Sequence, residues 1–314
     1  MIPTIDDVRA AAKRIEGIAV KTPLIRNDVL DEKTGAKIWV KAENLQRGGA
    51  FKMRGAANAI AALAPDVRAK GVLAFSSGNH AIAVATAAKI FGVSATIVMP
   101  ADAPKIKLDT TRSLGAAVVT YDRVKESREE IGARLAAEGG LSLIKPFDDP
   151  CVLAGQGTAG LEIGAQISPD IVFAPASGGG LSTGTALALP QARIFAVEPE
   201  GHNDIQRTLE SGSIQRNPPG IRSICDGLLT EQIGEIPYAI ARERFERVIA
   251  VSDAAVLRAM KFAFQRLKLV LEPSGAASLA ALLEGGADLS GKTVAVIASG
   301  GNVDAETFQR ALSA

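Results

Sequence analysis

The chain has 314 residues, 47% of them hydrophobic and 22% charged, which is enough to bury one large core or two modest ones, with two expected. Lysine and arginine total 35 against 34 aspartate and glutamate, so a formal charge of +1 supplies no global field to draw nucleic acid or an anionic membrane. Aromatics at 4% leave few platforms for stacked bases, and Cys151 and Cys225, lacking any CxxC or metal-ligand spacing, read as free thiols of a reducing compartment.

The chain begins Met-Ile-Pro-Thr and passes directly into charged residues, and it contains no charge-poor run of membrane-spanning length, so a cytoplasmic protein is expected. Thr4 and Asp7 predict the start of a first helix running to about Ile15, with Val8, Ala11 and Ala12 as its buried stripe. Residues 37–41 predict a short strand that leads through Glu43 and Asn44 to Gly48 and Gly49. There the backbone is freed just before an alanine-rich run, which puts Lys52 at the first turn of a helix. A helix N-terminus with Arg47 and Arg54 close by favours loss of the lysine proton, and a neutral amine is what Schiff-base chemistry requires. A lysine that only solvates a helix end is the other reading.

From there strands at 71–75, 95–99 and 117–120 alternate with helices at 81–91 and 105–114. A second series places strands at 143–144, 171–174, 193–198, 248–251 and 293–298 among helices at 157–166, 252–268 and 274–283. Such alternation predicts mainly parallel sheets covered on both faces. The expected architecture is α/β, with two doubly wound units and a ligand in the cleft between them. The smaller unit, residues 46–147, is inserted in a larger one made of 1–45 and 148–314. The proline-rich stretch 217–220 reads as a surface loop.

Two loops carry backbone donors at predicted helix starts. Ser76, Ser77, Gly78, Asn79 and His80 follow a strand and open a helix, an anion site suited to a carboxylate. Ser177, Gly178, Gly179, Gly180 and Leu181 repeat the arrangement and suit a phosphate, or simply a tight turn. Thr183 spoils the dinucleotide pattern G-x-G-x-x-G. The stretch from Gly286 to Thr293 matches a P-loop letter for letter, but a helix is predicted before it and a strand after it, so a polar turn is expected. His80 and His202 are the only histidines, which excludes a polyhistidine metal site. Glu198, Asp204 and the carbonyl of His202 are spaced to meet one hard cation, or to be solvated loop charges.

The segments AFKMRGA (50–56), SSGNHA (76–81), SGGGL (177–181) and SGGN (299–302), in this order, resemble the fold-type II pyridoxal-phosphate enzymes, in particular the serine/threonine dehydratase and serine racemase group. KTPL (21–24), KAENLQ (41–46) and AGQGT (154–158) extend the likeness over nearly the whole chain. The resemblance implies a tryptophan synthase β-like fold, with Lys52 as the Schiff-base lysine, Phe51 on the cofactor ring and Asn79 at the ring oxygen. It gives the phosphate to Ser177, Gly178, Gly179, Gly180 and Leu181, the other ring face to Gly227 and the pyridine nitrogen to Ser299. A neutral hydroxyl does not hold that nitrogen protonated, so carbanion character stays near Cα and favours prompt loss of a β-substituent.

The implied route has the free amine of Lys52 take the Cα proton while Ser76, Ser77, Asn79 and His80 hold the substrate carboxylate. The β-hydroxyl leaves with acid help of the kind credited to the cofactor phosphate, and aminoacrylate hydrolyses to a 2-oxo acid and ammonia. L-threonine or L-serine is the substrate expected first. Ser77 matches the residue that acts opposite the lysine in serine racemases, which makes racemisation an alternative. Arg128 could meet the distal carboxylate of a third candidate, threo-3-hydroxyaspartate, or be a solvated helix arginine. Glu198, His202 and Asp204 match the Mg2+ site of the group, and a homodimer is the family expectation. Gly48 and Ala50 depart from the usual TGSFK loop, Ser177 stands where glycine is usual, and Cys225 where alanine is common. The chain stops soon after Asn302, so feedback by a branched-chain amino acid is not expected. A nucleotide-binding protein resting on the glycine loops alone would be colourless, whereas the resemblance implies a yellow one.

Overall fold

The computed structural model describes residues 1–103, 105–122, 124–285 and 287–314. Among them, runs of valine, isoleucine and alanine without internal proline form the strands, because branched side chains suit a pleated surface covered on both faces. In chain order these are β1 (Leu24–Arg26), β2 (Lys37–Ala42), β3 (Val72–Phe75), β4 (Ala95–Pro100) and β5 (Ala117–Tyr121). They continue with β6 (Ser142–Leu143), β7 (Ile171–Pro175), β8 (Arg193–Pro199), β9 (Phe245–Val251) and β10 (Thr293–Ala298). The strands form a six-stranded sheet of order β1-β2-β10-β7-β8-β9 and a four-stranded sheet of order β5-β4-β3-β6. Only the β1–β2 pair is antiparallel.

This strand order positions the site. β7 lies between its successor β8 and the last strand β10, and β3 lies between β4 and β6. Chain connections therefore leave the C-terminal ends of these strands in opposite directions, opening the crevice where α/β sheets take ligands. The loops after β7 and β10 contain Ser177 and Ser299, and those after β3 and β6 contain Ser76 and Phe147.

The Lys52–Ala62 helix joins the two units. It is buried from Met53 through Ile60 and packs on both the Asn79–Phe91 and the Pro150–Gly164 helices. Small residues permit this. The helix expected at 157–166 starts seven positions earlier because Asp149 caps it, accepting from Val152 N at 3.0 Å. Gly155, inside this helix, is a point of close approach, since a Cβ there would lie 2.6 Å from the Arg54 carbonyl oxygen.

Other boundaries shift too. The helix expected at 252–268 is α-helical over Asp253–Phe262, then widens into a π turn at Ala263–Leu267 that ends on Lys268 with φ +59°. Asp204, expected in a loop, starts the Asp204–Ser211 helix. Gly286 of the P-loop-like stretch lies outside the described residues, while the Pro273–Leu283 helix precedes that stretch and β10 begins at its Thr293. Cys151 and Cys225 are free thiols. No helix among the described residues is long and apolar enough to cross a membrane.

A buried ion cluster fixes the joint. Arg54 Nε donates to Glu43 Oε2 at 2.7 Å and Arg54 Nη1 to Glu162 Oε1 at 2.7 Å, while Lys41 Nζ donates to Glu162 Oε2 at 2.5 Å. Lys41, Glu43 and Arg54 side chains are wholly inaccessible, and the two cations balance the two carboxylates. Burial works to lower the Arg54 pKa, but Glu43 and Glu162 outweigh it and hold the guanidinium charged.

Candidate active site

Lys52 is reached through a short antiparallel bridge between Ala50 and Gly300. Phe51 N donates to Ser299 O at 3.0 Å and Gly301 N to Gly49 O at 2.8 Å, which ties the lysine loop to the segment leaving β10. Lys52 Nζ donates to Pro146 O at 2.7 Å, beyond β6, and lies 5.2 Å from the centroid of the Phe51 ring. Burial lowers its pKa from 10.5 to about 8. The sequence expectation credited Arg47, Arg54 and the helix end with this effect, and that cause is corrected. Arg54 is committed to the ion cluster, and removal from water does the lowering.

At the end of β3, Ser76 Oγ accepts from Gly78 N at 3.1 Å and shapes the turn into the Asn79–Phe91 helix. The first N–H groups of that helix have no intrahelical acceptor, and a Cβ on Gly78 would meet nothing within 4 Å, so open donors face open space. Ser77 is half-buried in the same loop. His80 is buried, with Nε2 at 2.8 Å from Ile144 O and Nδ1 without a partner. A carbonyl only accepts, so Nε2 carries the hydrogen. Burial, then the charge of Lys52, push the imidazole down to about 3. The ring is neutral and already engaged, which leaves the backbone N–H as the means by which His80 can meet a carboxylate.

Beyond β7, Ser177, Gly178 and Gly179 lead into the Gly180–Ala188 helix, with Leu181 in its first turn. Gly179 has φ +89°, and any side chain on Gly178 would overlap the Phe147 ring, so both must be glycine for the backbone to fold tightly here. Ser177 Oγ lies 2.5 Å from Thr230 Oγ1 and accepts from Thr230 N at 3.1 Å. Gly227 N donates to Ser274 Oγ at 2.8 Å. Asn79 Nδ2 donates to Glu272 Oε1 at 2.5 Å, and Asn79 Oδ1 accepts from Asn302 Nδ2 at 2.8 Å. Phe51, Lys52, Asn79, His80, the Ser177 loop, Gly227 and the buried Ser299 are thus linked through neighbouring backbone and side chains.

Arg128 stands apart from these contacts. It opens the Arg128–Gly139 helix, and its Nε donates to Glu129 Oε1 at 2.7 Å. That bond is the main cause of its raised pKa, to which the charges of Tyr121 and Glu231 add. Glu231 follows Thr230, so Arg128 feels the same segment that backs the Ser177 loop. The sequence reading gave no role to Pro146, Phe147, Thr230, Ser274 or Glu272. Their only local signal is a glutamate and a proline ahead of an apolar helix, at Glu272 and Pro273.

A family model described as pyridoxal-phosphate dependent enzyme matches residues 15–300. The chain belongs to this family. Among its relatives, L-threo-3-hydroxyaspartate ammonia-lyase of Saccharomyces cerevisiae is 45% identical over 100% of this chain and 97% of that one. Serine racemase of Schizosaccharomyces pombe is 41% identical over 100% and 98%. The structure of maize serine racemase aligns at a TM-score of 0.94 and 38% identity, covering 100% of this chain and 98% of that one. The fold is that of the fold-type II pyridoxal-phosphate enzymes, in the branch of ammonia-lyases and racemases.

The residues present fit pyridoxal phosphate. A partly buried amine with a lowered pKa suits an aldehyde, and a glycine loop pressed on Phe147 at a helix start suits a phosphate.

The donor set for a cation lies away from Lys52, at the end of β8. Glu198 accepts from Ile205 N at 3.0 Å and Gln206 N at 3.1 Å, while Asp204 accepts from Asn217 Nδ2 and Ile233 N, each at 2.7 Å. Burial raises Glu198 to about 8, with the charge of Asp204 adding, and burial raises Asp204 to about 6. Among the described residues no three His, Cys, Asp or Glu side chains gather as a metal site. Two crowded, buried carboxylates with free lone pairs nonetheless have the chemistry of a hard-cation site.

Proposed function

We propose that this protein eliminates water from a β-hydroxy amino acid, with L-threo-3-hydroxyaspartate as its substrate. The observation that carries this reading is the 45% identity, along the whole chain, to a relative named for that activity. It moves the dicarboxylic substrate ahead of the L-threonine and L-serine expected first. Arg128, half-exposed at the head of its helix and bonded, among the described residues, only to its neighbour Glu129, is the cation we assign to the distal carboxylate.

Pyridoxal phosphate supplies an electron sink for the charge that develops at Cα. Lys52 holds the cofactor and, as an amine neutral above about pH 8, takes the Cα proton. The unpaired N–H groups at the start of the Asn79 helix orient the α-carboxylate, and the Ser177 loop and its helix hold the phosphate. When the cofactor is bound, Phe51 and Gly227 would lie on the two faces of its ring, and Ser299 would face its nitrogen with a neutral hydroxyl that does not hold it protonated. The β-hydroxyl departs as water, and the released enamine tautomerises to an imine that water hydrolyses in solution, giving oxaloacetate and ammonia from 3-hydroxyaspartate. Glu198, Asp204 and the carbonyl of His202 would hold Mg2+, whose charge would offset that of the two buried carboxylates.

Racemisation is the second reading, favoured by the 41% identical relative named serine racemase and by Ser77 in the carboxylate loop. One assay separates the two. Oxo acid and ammonia are measured from L-threo- and L-erythro-3-hydroxyaspartate, L-serine and L-threonine, with and without a chelator, alongside chiral analysis of unreacted substrate. Equimolar oxo acid and ammonia from the threo isomer, with unchanged chirality and a loss under chelation, is the expected result. Loss of chirality ahead of oxo acid, abolished by Ser77→Ala, would replace the lyase reading with the racemase one.

A further inference from the structure

Glu272 occupies the N-cap position of the Pro273–Leu283 helix, yet its side chain caps nothing. It turns the other way and is 4% exposed, with a single side-chain hydrogen bond among the described residues, from Asn79 Nδ2 at 2.5 Å. Gly300 makes room for it, since any side chain at 300 would overlap Glu272 Oε1. A buried carboxyl with one partner is unfavourable to hold, and its own helix makes no use of it. Such groups gather at functional sites.

The opposite end of the Asn79 amide is held as firmly. Asn302 Nδ2 donates to Gly48 O at 2.7 Å and to Asn79 Oδ1 at 2.8 Å. The Gly48 carbonyl can only accept, so Asn302 must turn its nitrogen there and Asn79 must answer with its oxygen. The nitrogen of Asn79 then faces Glu272. One of its two N–H groups goes to that carboxyl, and the other has no partner among the described residues. Burial raises the Glu272 pKa to about 8, with Asp226 adding and the Asn79 bond opposing, so no full negative charge stands beside the amide at neutral pH.

We propose that Glu272 and Asn302 clamp the Asn79 amide so that its free N–H meets the ring oxygen of bound pyridoxal phosphate. Both are positioning residues, and the proposal rests on the reading of Asn79 as the ring-oxygen donor. The test uses holoenzyme and reads the visible absorption band of the cofactor, its dissociation constant and the thermal midpoint. Glu272→Leu is expected to shift the band and weaken cofactor retention about tenfold, the size of one lost oriented hydrogen bond. Glu272→Gln still accepts from Asn79 and restores both, which a purely structural role would not predict. Asn302→Ala, at an exposed position that tolerates truncation, shifts the band in the same direction and decides the matter should Glu272→Leu not fold. Asn79→Ala reproduces the change, and adding Glu272→Leu to it worsens nothing, because the two act through one contact.

A wild-type band and affinity in either Glu272→Leu or Asn302→Ala overturns the clamp. Additive losses in the double variant do so as well. An unchanged band in Asn79→Ala removes the assignment of Asn79 and the clamp with it, while the elimination assay on unmodified enzyme still stands as the separate test of the reaction.

Discussion

At the scale of single residues, Lys52 differs from other lysines because it is largely withdrawn from water and its amine bonds to one carbonyl. An ordinary lysine at 10.5 keeps its proton throughout the neutral range, whereas this amine is half neutral at about 8. Apoenzyme should therefore capture pyridoxal phosphate faster as the pH rises, gaining about tenfold per unit below 8 and levelling off above it. Stopped-flow measurement of the new visible band from pH 6 to 9 checks this. A rate still climbing steeply at pH 9 would mean a solvated lysine, and Lys52→Ala should give a colourless, inactive protein. The placement of the lysine, the Ser177 loop and Asn79 at helix starts was readable in the sequence because each sits in a short motif with its neighbours. Glu272, Pro146 and Thr230 were not, since each meets its partner across 53 or more positions of chain.

Elements are placed by how closely their backbones approach. The Pro150–Gly164 helix lies against the lysine helix at Gly155, where a methyl group would come within 2.6 Å of the Arg54 carbonyl and 2.7 Å of Gly55 Cα. Both are backbone atoms that cannot rotate aside. Gly155→Ala should cost about 1–3 kcal/mol, read as a lower urea midpoint with unchanged slope. The same glycines explain why the start of this helix was misplaced from sequence. Glycine lowers helix propensity, but tertiary contact overrides it. Most strands were located within a residue or two because buried β-branched runs have few other uses, but β9 begins three residues before the expected 248, and neither the short β1 nor the π turn at 263–267 left a pattern to read.

Over the whole molecule, alternation of strands and helices was enough to announce two parallel sheets, because a parallel strand needs a covering crossover. It could not announce the ion cluster, whose members are drawn from β2, the turn after it, the lysine helix and the Pro150 helix. Removing one member strands the rest in a dry interior. Arg54→Met should lower stability by about 3–5 kcal/mol in urea unfolding, while an exposed pair such as Arg258 with Glu284 should be worth under about 1 kcal/mol. The cluster also bears on how this architecture can be inherited. A fragment cut at residues 46–147 would carry Arg54 away from both Glu43 and Glu162, so recombination that exchanges such a fragment between relatives must bring matching acids from the recipient, or the hybrid begins with an orphaned buried charge.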